Sequence, residues 1–166
     1  MMEKIETSKI TEYTTPNPLT MVCTKDKNGK LNYAPISFFS HLSFKPVMVG
    51  FAMGKNAYTG ETIKETKKAV IVIPGPSMIP DIVRCGTSTG KETDKSKGMD
   101  LMRLPESDIG VPTDIRLAMC VSLDKIIDVG DHYLYTCFVD DAYGDLEKDP
   151  LVAWDGFSTL APAKQA

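Results

Sequence analysis

Residues 115–143, IRLAMCVSLDKIIDVGDHYLYTCFVDDAY, constrain the fold more than any other stretch of this chain. Leu117, Met119, Val121 and Leu123 recur at period two, so one face of a long strand is apolar. Gly130 and Asp131 make a turn, and HYLYTCFVDDAY returns as the antiparallel partner.

The first half of the chain supplies the other strands. LTMVCT (19–24) is a short apolar strand, and Asn28 with Gly29 provides the positive φ angles of a tight turn. GKLNYAPISFFSH (29–41) returns from that turn as one strand, and PVMVGFAM (46–53) is a third. AVIVIP (69–74) is a continuous apolar run, the pattern of a central strand buried on both faces. Before it, YTGETIKETKK reads as a helix capped by Thr59, with Glu61 in its first turn and Lys64, Lys67 and Lys68 toward its end to match the macrodipole. Two long hairpins plus a buried strand predict an antiparallel barrel.

Residues 84–114 are rich in Gly, Ser, Thr and charge and lack clear periodicity. A stretch of that length is either disordered or functional. Met99, Leu101 and Met102 are apolar anchors that favour an ordered excursion lying over something.

Composition narrows the classes of function. The 166 residues fit one domain, 1–166, with a core large enough to stand without disulfides. A net charge of −3 gives no basic face for nucleic acid. The N-terminus lacks the apolar core of a signal peptide and no apolar run approaches membrane-spanning length, so a cytoplasmic protein without a membrane partner is expected. Cys23, Cys85, Cys120 and Cys137 form no CxxC pair, and two histidines do not complete a metal set with them.

Side-chain chemistry alone finds little footing. GTSTGK (86–91) has three residues between its glycines where a phosphate-binding P-loop has four, and Glu92 follows the lysine. GxGxxG, GxSxG and HExxH are all absent, which turns attention to a cofactor. In NYAPISFFS, Asn32, Ser37 and Ser40 can hydrogen-bond, Pro35 forces edge or bulge geometry, and Phe38 or Phe39 offers a flat apolar surface. The plain alternative is a half-buried edge strand. In KNAYTGETIK, Lys55, Tyr58 and Thr59 precede a helix N-terminus, a natural anion site; the plain alternative is a capped helix beside a solvated lysine.

Taken in order, these segments resemble the flavin reductase-like, FMN-binding split-barrel family, and its flavoredoxin-like branch in particular. The resemblance runs from about Pro16 to about Asp145. It rests on PNPLTMVCTKDKNGKLNYAP, KNAYTGETIKETKKAVIVIP, STGKETDK with GMDLMRLPES, and LAMCVSLDKIIDVGDHYLYTCFV. Thr62, Ser96 and Cys137 depart from the family's usual Asn, Phe and Gly.

The resemblance implies a Greek-key-like six-stranded split barrel with a few flanking helices, a non-covalently bound FMN, and a homodimer. It implies that Asn32, Ala34, Pro35, Ile36, Ser37 and Phe38 form the flavin platform. Thr59, with Lys55 and Tyr58, would meet the phosphate, and Lys95 matches the branch's DK lysine. His132 would touch the flavin or the reductant as a hydrogen-bond partner or proton source, and Phe157 would be a tail aromatic over the ring. The implied activity is transfer of electrons from NADH, NADPH or a protein redox partner to free flavin, a metal complex or a protein. A non-catalytic electron carrier, or a split barrel binding haem or pyridoxal phosphate, remains open at this point.

Overall fold

The computed structural model describes residues 1–164. After a short helix α1 (Ile10–Tyr13), the chain forms β1 (Asn17–Pro18), β2 (Thr20–Lys25), β3 (Leu31–Ile36), β4 (Phe39–Phe44) and β5 (Val47–Gly54). Helix α2 (Tyr58–Thr66) leads into β6 (Lys68–Pro74), and helix α3 (Ile79–Gly86) follows. The excursion carries the two-residue strands β7 (Leu101–Met102) and β8 (Val111–Pro112). The long hairpin is β9 (Ile115–Val129) and β10 (His132–Gly144), and β11 (Leu151–Trp154) and β12 (Thr159–Pro162) end the fold.

Seven strands pair in the order β3-β2-β6-β9-β10-β5-β4, all antiparallel. Its two edge strands, β3 and β4, are joined by only Ser37 and Phe38. Two residues span a few ångströms, so the sheet must curl until its edges nearly meet. The result is a split barrel. The expected six strands become seven because stretch 29–41 is not one strand: it breaks at Ser37–Phe38 and crosses from one edge to the other. The break costs few ladder bonds, because Pro35 already lies on an edge strand where its missing N–H goes unnoticed.

Alternation places two cores on the two faces. Val22, Ile71, Met119 and Val121 point inward with Val49, Phe51, Tyr135 and Cys137, and Ile63 of α2 joins them. Phe51 and Tyr135 stack in parallel at 5.4 Å. Met21, Cys23, Val70, Val72 and Cys120 point outward and are covered by Ile82 and Cys85 of α3 and by Met99, Leu104 and Ile109 of the excursion. That cover makes β6 apolar on both faces, as its continuous pattern requires. Tyr33 pins the excursion by donating its hydroxyl proton to the Gly110 carbonyl at 2.9 Å. Side chains buried this fully contribute about 1.5–3 kcal/mol each.

Local details correct two expectations. At the first hairpin turn only Gly29 has positive φ, 86°; the loop is tied instead by the Asp26 carboxylate, which accepts the N–H groups of Asn28 and Lys30. Thr59 does not cap α2. The cap position is Ala57, which offers no side-chain oxygen, and Thr59 is buried in the first turn. No described helix is long and apolar enough to cross a membrane, a statement that concerns helices alone.

Candidate functional site

Two cavities meet along one wall of the barrel, sharing Ala34, Pro35, Ala57 and Gly86. The larger, about 550 Å³, is apolar and runs from Leu19 and Ile82 to a mouth at Phe38, His132 and Phe157. The smaller, about 300 Å³, is half polar and includes Asn32, Tyr58, Thr59, Gly90 and Lys95. A ligand filling both would have a flat apolar part and a polar, anionic end.

The polar end is built from three separate segments. Asn32 of β3 is 1% exposed and donates from Nδ2 to the Thr59 hydroxyl at 2.7 Å, while its Oδ1 is buried without a hydrogen-bond partner. Buried acceptors are normally satisfied, so Oδ1 marks a place for a donor from outside the protein. The uncapped start of α2 adds free N–H groups at Tyr58, Thr59 and Gly60. Lys95 is also buried, and its ammonium donates to the carbonyls of Tyr33 at 3.1 Å and Cys85 at 2.7 Å. Among the described residues no carboxylate pairs with it. Burial holds its pKa below the usual lysine value. An unpaired buried cation with a third N–H in reserve is a binding site for an anion.

Gly90 closes this cradle. A Cβ there would lie 2.2 Å from Asn32 Oδ1 and 2.6 Å from the Tyr58 ring, so only glycine lets the loop approach. Lys30 holds the loop by donating to the Gly90 carbonyl, and its ammonium also sits 5.3 Å above the Tyr58 ring. Tyr58 itself lends the cavity its ring, for its hydroxyl is turned away to Asp26 at 3.0 Å. Burial and that carboxylate push the Tyr58 phenol up.

At the other end, His132 Nδ1 lies 2.6 Å from Asp131 Oδ1. The hydrogen bond from the imidazole holds the Asp131 carboxyl below the usual range. Paired in this way, Nδ1 carries the proton and leaves Nε2 for a second partner. The Phe38 and His132 rings lie 5.3 Å apart, and Phe157 meets Phe38 edge-on at 5.8 Å.

The residues expected from sequence therefore divide. Ala34, Pro35, Ile36, Ser37, Phe38, His132 and Phe157 line the apolar cavity. Asn32, Tyr58, Thr59 and Lys95 line the polar one, as do Ala34 and Pro35. Lys55 lines neither: its ammonium is held by both oxygens of Asp128, at 2.9 and 2.8 Å. Ser40 lies outside both cavities and bonds the adjacent His41 carbonyl. Sequence reading missed Ser88, Thr89 and Gly90, although STGKETDK contains them, and it missed α3, whose Ile82, Val83 and Gly86 wall the larger cavity.

Comparison with known proteins follows the same lines. An uncharacterized protein of Archaeoglobus fulgidus is 28% identical over 111 residues, 65% of this chain and 63% of that protein. The match thus spans under two thirds of that relative's length. A flavoredoxin from Methanosarcina acetivorans superposes with a TM-score of 0.87 at 19% identity, covering 100% of this chain and 93% of its own. An NADH:FAD oxidoreductase of Streptomyces globisporus C-1027 superposes with a TM-score of 0.86 at 12% identity, covering 99% of each chain. At such identities the likeness is one of fold, and the fold is the split barrel. The model of the Flavin reductase like domain matches residues 13–160, and the chain belongs to that family.

Proposed function

We propose that this chain binds FMN non-covalently and serves as a flavin-dependent redox protein, passing electrons from NADH, NADPH or a protein partner to free flavin, a metal complex or a protein. The observation that carries the reading is the adjacency of the two cavities: an apolar slot shares a wall with a cradle holding an unpaired buried lysine and an unsatisfied Asn32 carbonyl. The residues fit FMN at both ends. Lys95, the N–H groups of α2 and the Gly90 loop would hold the phosphate, while Asn32 Oδ1 would accept from a hydroxyl of the ribityl chain. Ala34, Pro35, Ile36 and Phe38 would support the ring.

When bound, the flavin supplies the redox chemistry, taking up two electrons from a donor and returning them to an acceptor. The chain positions it, keeps water from the apolar wall, and presents His132 Nε2 at the mouth as a proton donor or acceptor whose tautomer Asp131 sets. The flavoredoxin and the NADH:FAD oxidoreductase that share the fold frame the two versions of this function, carrier and enzyme.

The test is a visible spectrum of the purified protein with FMN added, followed by anaerobic NADH and NADPH. Flavin bands that bleach with a nicotinamide support the reductase and name its donor. Bands that persist support the carrier, and failure to bind FMN refutes both.

We also propose a homodimer. Leu42 of β4 lies over Gly50 beside Leu134, on an outward face where Ile127 is also 42% exposed. A second copy covers such a face by two-fold symmetry. A monomer in light scattering contradicts this.

A further inference from the structure

The mouth of the apolar cavity carries more aromatic surface than a single wall requires. Phe38, 45% exposed, is flanked by His132 at 5.3 Å with 37° between the planes, and by Phe157 at 5.8 Å with 64°. Phe157 is 37% exposed, so both phenylalanines keep open faces. Among the described residues no formally charged side chain lines the cavity, and Lys55, one residue beyond the lining residue Gly54, is occupied by Asp128.

Phe157 sits on a constrained turn. Asp155, Gly156 and Phe157 have φ of 49°, 68° and 101°, and only the middle residue is glycine. A left-handed backbone is strained for the other two. Helix α1 braces the turn from behind: a Cβ on Gly156 would come within 3.2 Å of Glu12 and 3.3 Å of Thr11. The backbone is thus held, while the Phe157 ring rests edge-on against Phe38 and stays half open to solvent. Rotation about its side-chain bonds moves the ring without moving the turn.

We propose that Phe38 and Phe157 form a second binding site, which takes an uncharged, flat aromatic compound between their rings as Phe157 turns out of its edge-on contact. This rests on the flavin-binding reading for what fills the cavity beneath. Flatness follows from the two faces, since offset stacking on each replaces one edge contact. Absence of charge follows from the lining, because an ionised group buried there would lose hydration with no counter-ion. His132 Nε2, free at the rim, gives a hydrogen bond to a hydroxyl or carbonyl on the ligand.

Calorimetric titration at pH 7 of FMN-saturated and flavin-free protein tests this, with 2-naphthol as the uncharged probe and 2-naphthoate as its anionic counterpart. We expect 2-naphthol to bind the FMN-saturated protein, 2-naphthoate to bind at least about tenfold more weakly, and Phe157→Leu to weaken 2-naphthol about fivefold. Phe38→Leu, at an exposed position, repeats the test should the first variant fold poorly. Equal binding of the two probes, or affinity unchanged in both variants, overturns the proposal. So does 2-naphthol bound to flavin-free protein and displaced by FMN, which places it in the ring cavity itself. If FMN does not bind at all, the proposed function falls, and the aromatic site is judged by the same comparison of probes and variants in flavin-free protein.

Discussion

Replacing Lys95 with Met should separate the two ends of the bound cofactor. Lys95 is 5% exposed, and its ammonium spends two of its N–H groups on the Tyr33 and Cys85 carbonyls, so one remains for the ligand. A hydrogen bond to a charged group is worth about 1.5–3 kcal/mol, and a tenfold change in Kd is about 1.4 kcal/mol. FMN should therefore bind roughly 10- to 150-fold more weakly. Riboflavin has the same ring and chain without the phosphate, and its affinity should change by no more than about twofold. Stability of the ligand-free protein is a poor readout, because two effects oppose. Met leaves two carbonyls unpaired, at about 1–3 kcal/mol each, but it also removes a cation whose burial is unfavourable enough to lower its pKa.

The pH dependence carries a sign. Protonated Lys95 is the form that binds phosphate, so FMN affinity should fall as pH rises through its lowered pKa, a limb that Met lacks. In the ligand-free protein the unfolded chain holds that proton longer, so stability should rise with pH between the lowered value and 10.5. Quenching of flavin fluorescence on titration gives both affinities. Equal losses for FMN and riboflavin, or none for FMN, would refute the assignment of the phosphate to Lys95.

Three further outcomes are expected. Thr59→Ala leaves Asn32 Nδ2 without its acceptor and should weaken FMN by about 1 to 3 kcal/mol in the same titration. Gly90→Ala drives a methyl into Asn32 and the Tyr58 ring, and should abolish FMN binding at micromolar protein while the far-UV circular dichroism stays native. Asp114 is held below the usual carboxylate range by the Ser77 hydroxyl at 2.5 Å, with the Ser77 N–H and Lys148 adding to it. Its contribution is present above 3.8 and lost as pH falls through the lowered value. Asp114→Asn should cost about 1 kcal/mol at pH 7 and little at pH 2 by urea unfolding.

How much of this was legible in the sequence follows from the range of each interaction. Period two in β9 and β10, the Gly130 turn and the double-faced run of β6 are local patterns, and the hairpin and central strand stand where those patterns put them. Helix α3 was missed because eight residues with Pro80 near the start and Gly86 at the end give too short a period to read. Its helicity is supported by Ile82 and Cys85 packing on the sheet. Lys55 looked like a phosphate ligand beside the α2 N-terminus, but Asp128, 73 residues away, claims it.

The sequence by itself determined the long β9–β10 hairpin, the central run of β6, the glycine turn at Gly29 and the family, because those rest on alternation and on motifs in order. Only the tertiary structure decided that stretch 29–41 breaks at Ser37–Phe38, since which strand reaches which edge is a property of the whole sheet. It also decided that Lys95 is buried and unpaired, and that Phe38, His132 and Phe157 converge on one mouth. Burial and convergence depend on chain closure between segments some 25 to 95 residues apart, which no local pattern encodes.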